Sequence, residues 1–145
     1  MALSNNDIGK TWTLHTLAQL SDAWPRRVDF NSLDLGTQTS VRPESEDEAE
    51  DIFDDLFRWL RHEGFVSFTQ DGAGWAADVQ LTSKAMEAIG HALPTDKGAV
   101  GKQLKDIAAG AGSEVGRAVI AETVGLFIGA AARGFAGGGS SGAGA

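Results

Sequence analysis

Residues 53–81 read FDDLFRWLRHEG, then FVSFTQ, DGAG and WAADVQL. Phe53, Leu56, Phe57 and Leu60 recur at helical spacing, which predicts a helix with one buried face. After Gly64 the period changes. Trp75, Ala77, Val79 and Leu81 alternate with Ala76, Asp78 and Gln80, the period of a strand with one face on a core. Asp71-Gly72 supplies a residue able to take positive φ, so the two apolar runs are expected to close as a hairpin with a glycine at its tip.

Downstream, LTSKAMEAIG (81–90) starts another helix, capped by Thr82 or Ser83, carrying Ala85, Met86 and Ile89 and ending at Gly90. Upstream, residues 7–24 read as a first helix. Ile8, Trp12, Leu17, Leu20 and Trp24 lie toward one side of it, and Pro25 stops it. Residues 26–35 read as a short edge strand followed by a loop, and 36–44 as polar loop. Ser45 and Glu48 fit a capping box at the start of the central helix. Eight of the twelve residues 44–55 are Asp or Glu. A first turn rich in carboxylates is favoured by the helix dipole, so the plain reading of that run is a well-capped, solvated helix start. Docking of a basic partner, or mimicry of nucleic-acid charge, is the sharper reading.

This order of elements over residues 10–92 resembles the winged-helix domain. Leu81-Thr82-Ser83-Lys84-Ala85 is close to the LT-x-K-G segment that follows the second wing strand in many members, with Ala85 where glycine is usual. The resemblance implies an α+β fold: a small winged-helix domain with a two-stranded wing hairpin. It also implies a helix-turn-helix, yet only 45–63 is well marked as a helix besides the first. The motif is therefore expected to be truncated, or replaced by the 31–43 loop.

The 145 residues hold one domain and an extension. With no cysteine, disulfides, thiolate metal sites and a cysteine nucleophile are excluded. The N-terminus lacks a basic region followed by an apolar run, which leads to the expectation of a cytoplasmic protein, membrane-associated if assembly brings it there. The net charge of −8 is uneven: residues 1–96 hold seven Lys/Arg against seventeen Asp/Glu, and 97–145 hold five against three. An acidic domain (1–92) is thus joined by a hinge (93–98) to a slightly basic, Gly/Ala-rich extension. The extension is expected to be one long helix over 99–135, with a flexible tail over 136–145.

No motif names a reaction. His15, His62 and His91 lie on separate segments, so no metal site is expected. Gly9-Lys10-Thr11 lacks the preceding strand and first glycine of a phosphate loop. Gly137, Gly139 and Gly142 match G-x-G-x-x-G by letters alone. Asp51, Asp54 and Asp55 on a solvated helix face are simply ionised. The reading is non-enzymatic, with no cofactor.

For partners, duplex DNA calls for Lys/Arg against phosphates. The candidate contacts are Arg26, Arg27, Arg58, Arg61 and Lys84, with Arg42 as a further basic group able to converge with them, while 65–81, the wing, carries no basic residue. A protein partner suits the acidic domain better. In the extension, small residues recur at four-residue spacing: Ala108, Gly112 and Gly116, then Ala121, Gly125 and Gly129. Such rows let helix backbones approach closely, as in glycine-zipper association segments. Arg117 and Glu122 interrupt the apolar flanks and could pair between copies. The expectation is a small effector-like interaction module that self-assembles, or packs on a partner helix, through this segment, with a membrane as a further partner. The alternative is a DNA-binding regulator that oligomerises through the same helix.

Overall fold

The structure is a computed structural model describing residues 3–93 and 98–144, with side chains described through Ala132. Residues 94–97, on which most of the expected hinge falls, lie outside the described residues.

Helix α1 (Asn5–Ala23) begins at Ser4, whose Oγ accepts the Asp7 N–H at 3.1 Å. It ends where the Trp24 N–H reaches the Leu20 carbonyl at 2.9 Å, just before Pro25. Strand β1 (Val28–Asn31) leads directly into α2 (Ser32–Thr39), and α3 (Glu46–His62) follows. Three strands come next, β2 (Val66–Ser67), β3 (Gln70–Gly72) and β4 (Trp75–Leu81), and then α4 (Ser83–Ala92). In the antiparallel sheet β4 is central. It pairs with β1 on one edge and with β2 and β3 on the other. The fold is α+β with a layout compatible with a winged helix, and a second helix, α2, precedes α3.

Helix α2 corrects the loop expected over residues 31–43. Asn31 ends the strand and caps the helix, its side chain accepting the Asp34 N–H at 2.8 Å. Leu35 and Gly36 are the buried positions of α2, and Ser40 in the left-handed region ends it. Two apolar contacts in eight residues, one of them a glycine, give too little periodicity to mark a helix.

The strand alternation is corrected as well. Trp75 is 41% exposed while Ala76, Val79 and Leu81 are buried. Between Val28↔Val79 and Phe30↔Ala76, β4 holds one residue more than β1, a bulge at which Asp78 takes φ 58°. The Asp29 carboxylate accepts the Asp78 N–H at 2.9 Å, and the Asp78 side chain accepts the Thr69 hydroxyl at 2.9 Å. The inward face therefore changes parity along β4. The positive-φ residue at the hairpin tip is Gly74 rather than Gly72, which lies in β3 under the Trp75 indole.

The core gathers Trp12, Leu17 and Leu20 of α1, Phe30, Leu35, the stacked pair Phe53 and Phe57 (centroids 4.1 Å apart), Leu60, Val79 and Ile89. The buried Trp12 indole donates to the Val41 carbonyl at 2.7 Å and ties the α2–α3 link to α1. Trp24, expected on the buried side of α1, is 47% exposed.

The extension is not one helix. It comprises α5 (Val100–Ala108), a 3-10 turn (Ala109–Gly112) and α6 (Glu114–Gly144), and its apolar side chains join the same core through Leu104, Ile120, Val124 and Phe127. Helix α5 lies along α1, and α6 packs on α4 and α1. This explains why α1 is buried on nearly every side, its Thr11, Thr13 and Thr16 included. Thr11 and Thr13 satisfy their hydroxyls on the carbonyls of Asp7 and Gly9, both at 2.8 Å. α6 runs on to Gly144, through the stretch expected to be a tail.

Candidate functional site

Two surfaces collect the residues singled out by the sequence. On the first, Ser45 caps α3 by accepting the Glu48 N–H at 3.1 Å, with Glu46, Asp47 and Glu48 in the first turn. Carboxylates there sit at the positive end of the helix dipole. Among the described residues, no cationic side chain lies within ion-pair distance of Glu46, Asp47, Glu48, Asp51 or Asp55. Asp54 differs from these neighbours in holding the wing. Its Oδ1 accepts the Gly74 N–H at 2.9 Å, while the Gly74 carbonyl accepts the Ser32 N–H at 2.8 Å. A Cβ on Gly74 would lie 2.7 Å from Glu50 Cγ and 2.9 Å from the Ser32 hydroxyl. The wing tip is thus clamped between the start of α2 and the middle of α3.

The basic residues of the nucleic-acid alternative are not gathered into one patch by any contact. Arg58 faces Asp71 of the wing at 3.6 Å, and Arg61 lies over the Phe68 ring at 4.8 Å. The Lys84 ammonium donates to the Glu63 carbonyl at 2.7 Å, at the end of α3. Arg26 and Arg27 are exposed in the link between α1 and β1. The outward side of α3 begins acidic, and its arginines lean onto the wing.

The second surface is built from α5 and α6. Gly101 lets α5 come close to α1: a Cβ there would run into the Asp22 carboxylate, whose Oδ2 pairs with the Lys105 ammonium at 2.9 Å. The turn between the helices is equally tight. A Cβ on Gly116 would run into the Gly110 carbonyl, and the Ser113 hydroxyl accepts the Gly116 N–H at 2.9 Å as the cap of α6. Arg117 bends back, and its Nη1 donates to the Ala111 carbonyl at 3.1 Å.

These contacts divide the two small-residue rows. Ala108 is buried in the core and Gly116 is used inside the α5–α6 turn, while Gly112 lies in the 3-10 segment, off the axis of either helix. Ala108 and Gly116 of the first row are therefore taken up within the chain, while Gly112 is exposed with open space beside it. The second row lies on one helix. Ala121 and Gly129 are half-buried, Gly125 is exposed, and a Cβ added at Gly125 would meet nothing within 4 Å. Inward, α6 buries Ile120, Thr123, Val124, Phe127, Ala130 and Ala131. Outward it presents Val115 (76% exposed), Val119 (43%) and Leu126 (48%), with Ala118 and Glu122 between them.

Sequence reasoning missed the Asp54–Gly74 clamp, Gly101 and the Ser113 cap. For Ser113, the signal lay in Gly110, Gly112 and Ser113 standing in the middle of an otherwise helical run. Among the described residues, no cluster of His, Asp or Glu is placed to hold a metal ion.

Comparison of the chain with protein-family models, with curated proteins and with solved structures gives no match. The class of the fold accordingly rests on the order of its elements and the pairing of its strands.

Proposed function

We propose that this protein is a non-catalytic interaction module that assembles with further copies of itself through the outward face of α6, the winged-helix-like part serving as an acidic docking domain. The observation that carries the reading is Gly125. A glycine inside a helix costs about 1 kcal/mol relative to alanine, and at Gly101 and Gly116 a close intramolecular contact accounts for it. Gly125 has no such neighbour and is exposed on the outward side of α6, beside Ala118 and next to the face that presents Val115, Val119 and Leu126. A second helix crossing there would bury that face and use the missing side chain for close approach.

Light scattering on the eluting full-length chain tests this. The expected result is a mass that is a multiple of 15.1 kDa, falling to the monomer in Leu126→Glu and in Gly125→Leu. A monomer at the highest soluble concentration would overturn it.

One observation favours a membrane as the second reading. Residues 114–132 form a helix long and apolar enough to cross a bilayer, with mean hydropathy 1.5 and only 33% of that window buried. Nineteen residues rise about 28 Å, close to the roughly 30 Å of a hydrocarbon core. Flotation with vesicles of neutral lipid separates the two, since soluble assembly leaves the protein in the dense fraction. The nucleic-acid alternative predicts tight duplex binding with a steep salt dependence. The acidic start of α3 and the engagement of Arg58 and Arg61 with the wing favour a protein partner instead.

A further inference from the structure

An open cleft of about 1060 Å³ lies where the extension meets the winged-helix part. One wall comes from α1, α2 and the segment after α2, the other from α5, the 3-10 turn and the start of α6. We infer that this cleft is a binding site for a small organic anion, a phosphate or carboxylate carried on an apolar body, held by Arg117.

Charge gives the first argument. The chain is strongly acidic, yet the cleft is lined by Arg117, Lys105 and the imidazole of His15 against the single carboxylate of Asp7. Lys105 is paired with Asp22. Arg117 is half-buried, and of its five N–H donors one is given to the Ala111 carbonyl. Among the described residues, no carboxylate lies within 4.0 Å of its guanidinium. A planar cation with donors to spare, screened from bulk water on one side, suits bidentate contact with a carboxylate or phosphate.

The rest of the lining supplies the second argument. Leu3, Val41, Ala108 and Ala111 give an apolar floor. Of the polar lining, His15 Nε2 and the Gln38 side-chain oxygen lie 2.9 Å apart and form a polar rim able to orient a ligand. A concavity with an apolar floor and convergent polar groups on its walls suits a ligand that has both an apolar body and a charged end. Its two walls belong to different parts of the chain, so a ligand there would hold α5 and α6 to the domain and raise the melting temperature. The inference stands apart from self-association, which uses the opposite side of α6.

Phenyl phosphate is the probe, titrated into the ¹⁵N-labelled full chain with inorganic phosphate as comparison. The expected result is saturable amide shifts confined to Gln38, Ala109, Gly112 and Arg117 and their neighbours, with inorganic phosphate weaker. Arg117→Gln is expected to weaken binding about tenfold or more, the worth of one charge-assisted contact, and Arg117→Lys by less. Because Arg117 also supports the α5–α6 turn, a second variant leaves that turn intact. Ala109→Asp at the exposed lip places a carboxylate beside the cleft and is expected to abolish binding without lowering the melting temperature. Unsaturated shifts at millimolar probe, equal affinity for inorganic phosphate, or wild-type affinity in Ala109→Asp would each overturn the proposal.

Discussion

Gly116 and Gly125 are the same residue nine positions apart in one helix, and their environments predict opposite outcomes for one substitution. At Gly116 an added methyl meets the Gly110 carbonyl, a backbone atom that cannot turn aside. Gly116→Ala is expected to cost roughly 1–3 kcal/mol, the range for forcing volume into a closed contact, and to lower the urea midpoint. At Gly125 the methyl enters open space. Gly125→Ala is expected to raise the stability of the dilute chain by up to about 1 kcal/mol through helix propensity alone, and to weaken association when the protein is concentrated. Equal effects at both sites would contradict the division of the two glycine rows. The rows themselves were legible in the sequence. Their division follows from the helix break at Ser113, for which Gly110, Gly112 and Ser113 were the one sign, whereas the close approach of Gly110 and Gly116 that fixes the turn is not encoded in residue spacing.

At the scale of elements, the wing is the part whose behaviour departs most from its outline. Its order in the chain, its glycine tip and its central strand could be read from period and turn residues. Two features could not. The bulge at Asp78 shifts β4 by one residue, so that Ala76 rather than Trp75 enters the core, and a bulge held by side chains from β1 and the 68–69 link leaves no mark in the alternation of β4. The second feature is the clamp that draws the tip onto α3. Asp54 reads as one more carboxylate in an acidic run, but it accepts the Gly74 N–H. Asp54→Ala removes a charge-assisted bond, and the expected cost is about 1.5–3 kcal/mol, as for other hydrogen bonds to ionised groups. Amide exchange at Gly74 and Trp75 should quicken while that of α1 is unchanged. Asp51→Ala, one turn earlier and without such a partner, should leave both stability and exchange as they are. α2 belongs to the same lesson: a helix of eight residues with two buried positions is fixed by its cap at Asn31 and by the surfaces on either side of it.

For the whole molecule, the question is whether the winged-helix-like part is a domain that the extension merely follows. A composition shift and a proline suggested a boundary near residues 93–98, and on that reading the first 93 residues would fold alone. Their packing argues against independence. α1 carries buried side chains on almost its entire circumference, three threonines among them, because α5 and α6 cover the side that the sheet and α3 do not. Removing the extension would strip Leu104, Ile120, Val124 and Phe127 from the core, along with the Lys105–Asp22 pair. Burying each such apolar side chain contributes about 1.5–3 kcal/mol, so the loss approaches roughly 6–12 kcal/mol, comparable with the whole stability of a domain this size. The exposed ion pair adds little to that figure. A chain shortened to residues 1–93 is therefore expected to lose cooperative unfolding and to bind a hydrophobic dye, while the full chain melts in one transition. A cooperative melt in the shortened chain, with no dye binding, would show the extension to be an accessory. On the expected result, the oligomeric role of α6 can be tested only by changes on its outward face, since deleting the helix removes part of the fold as well.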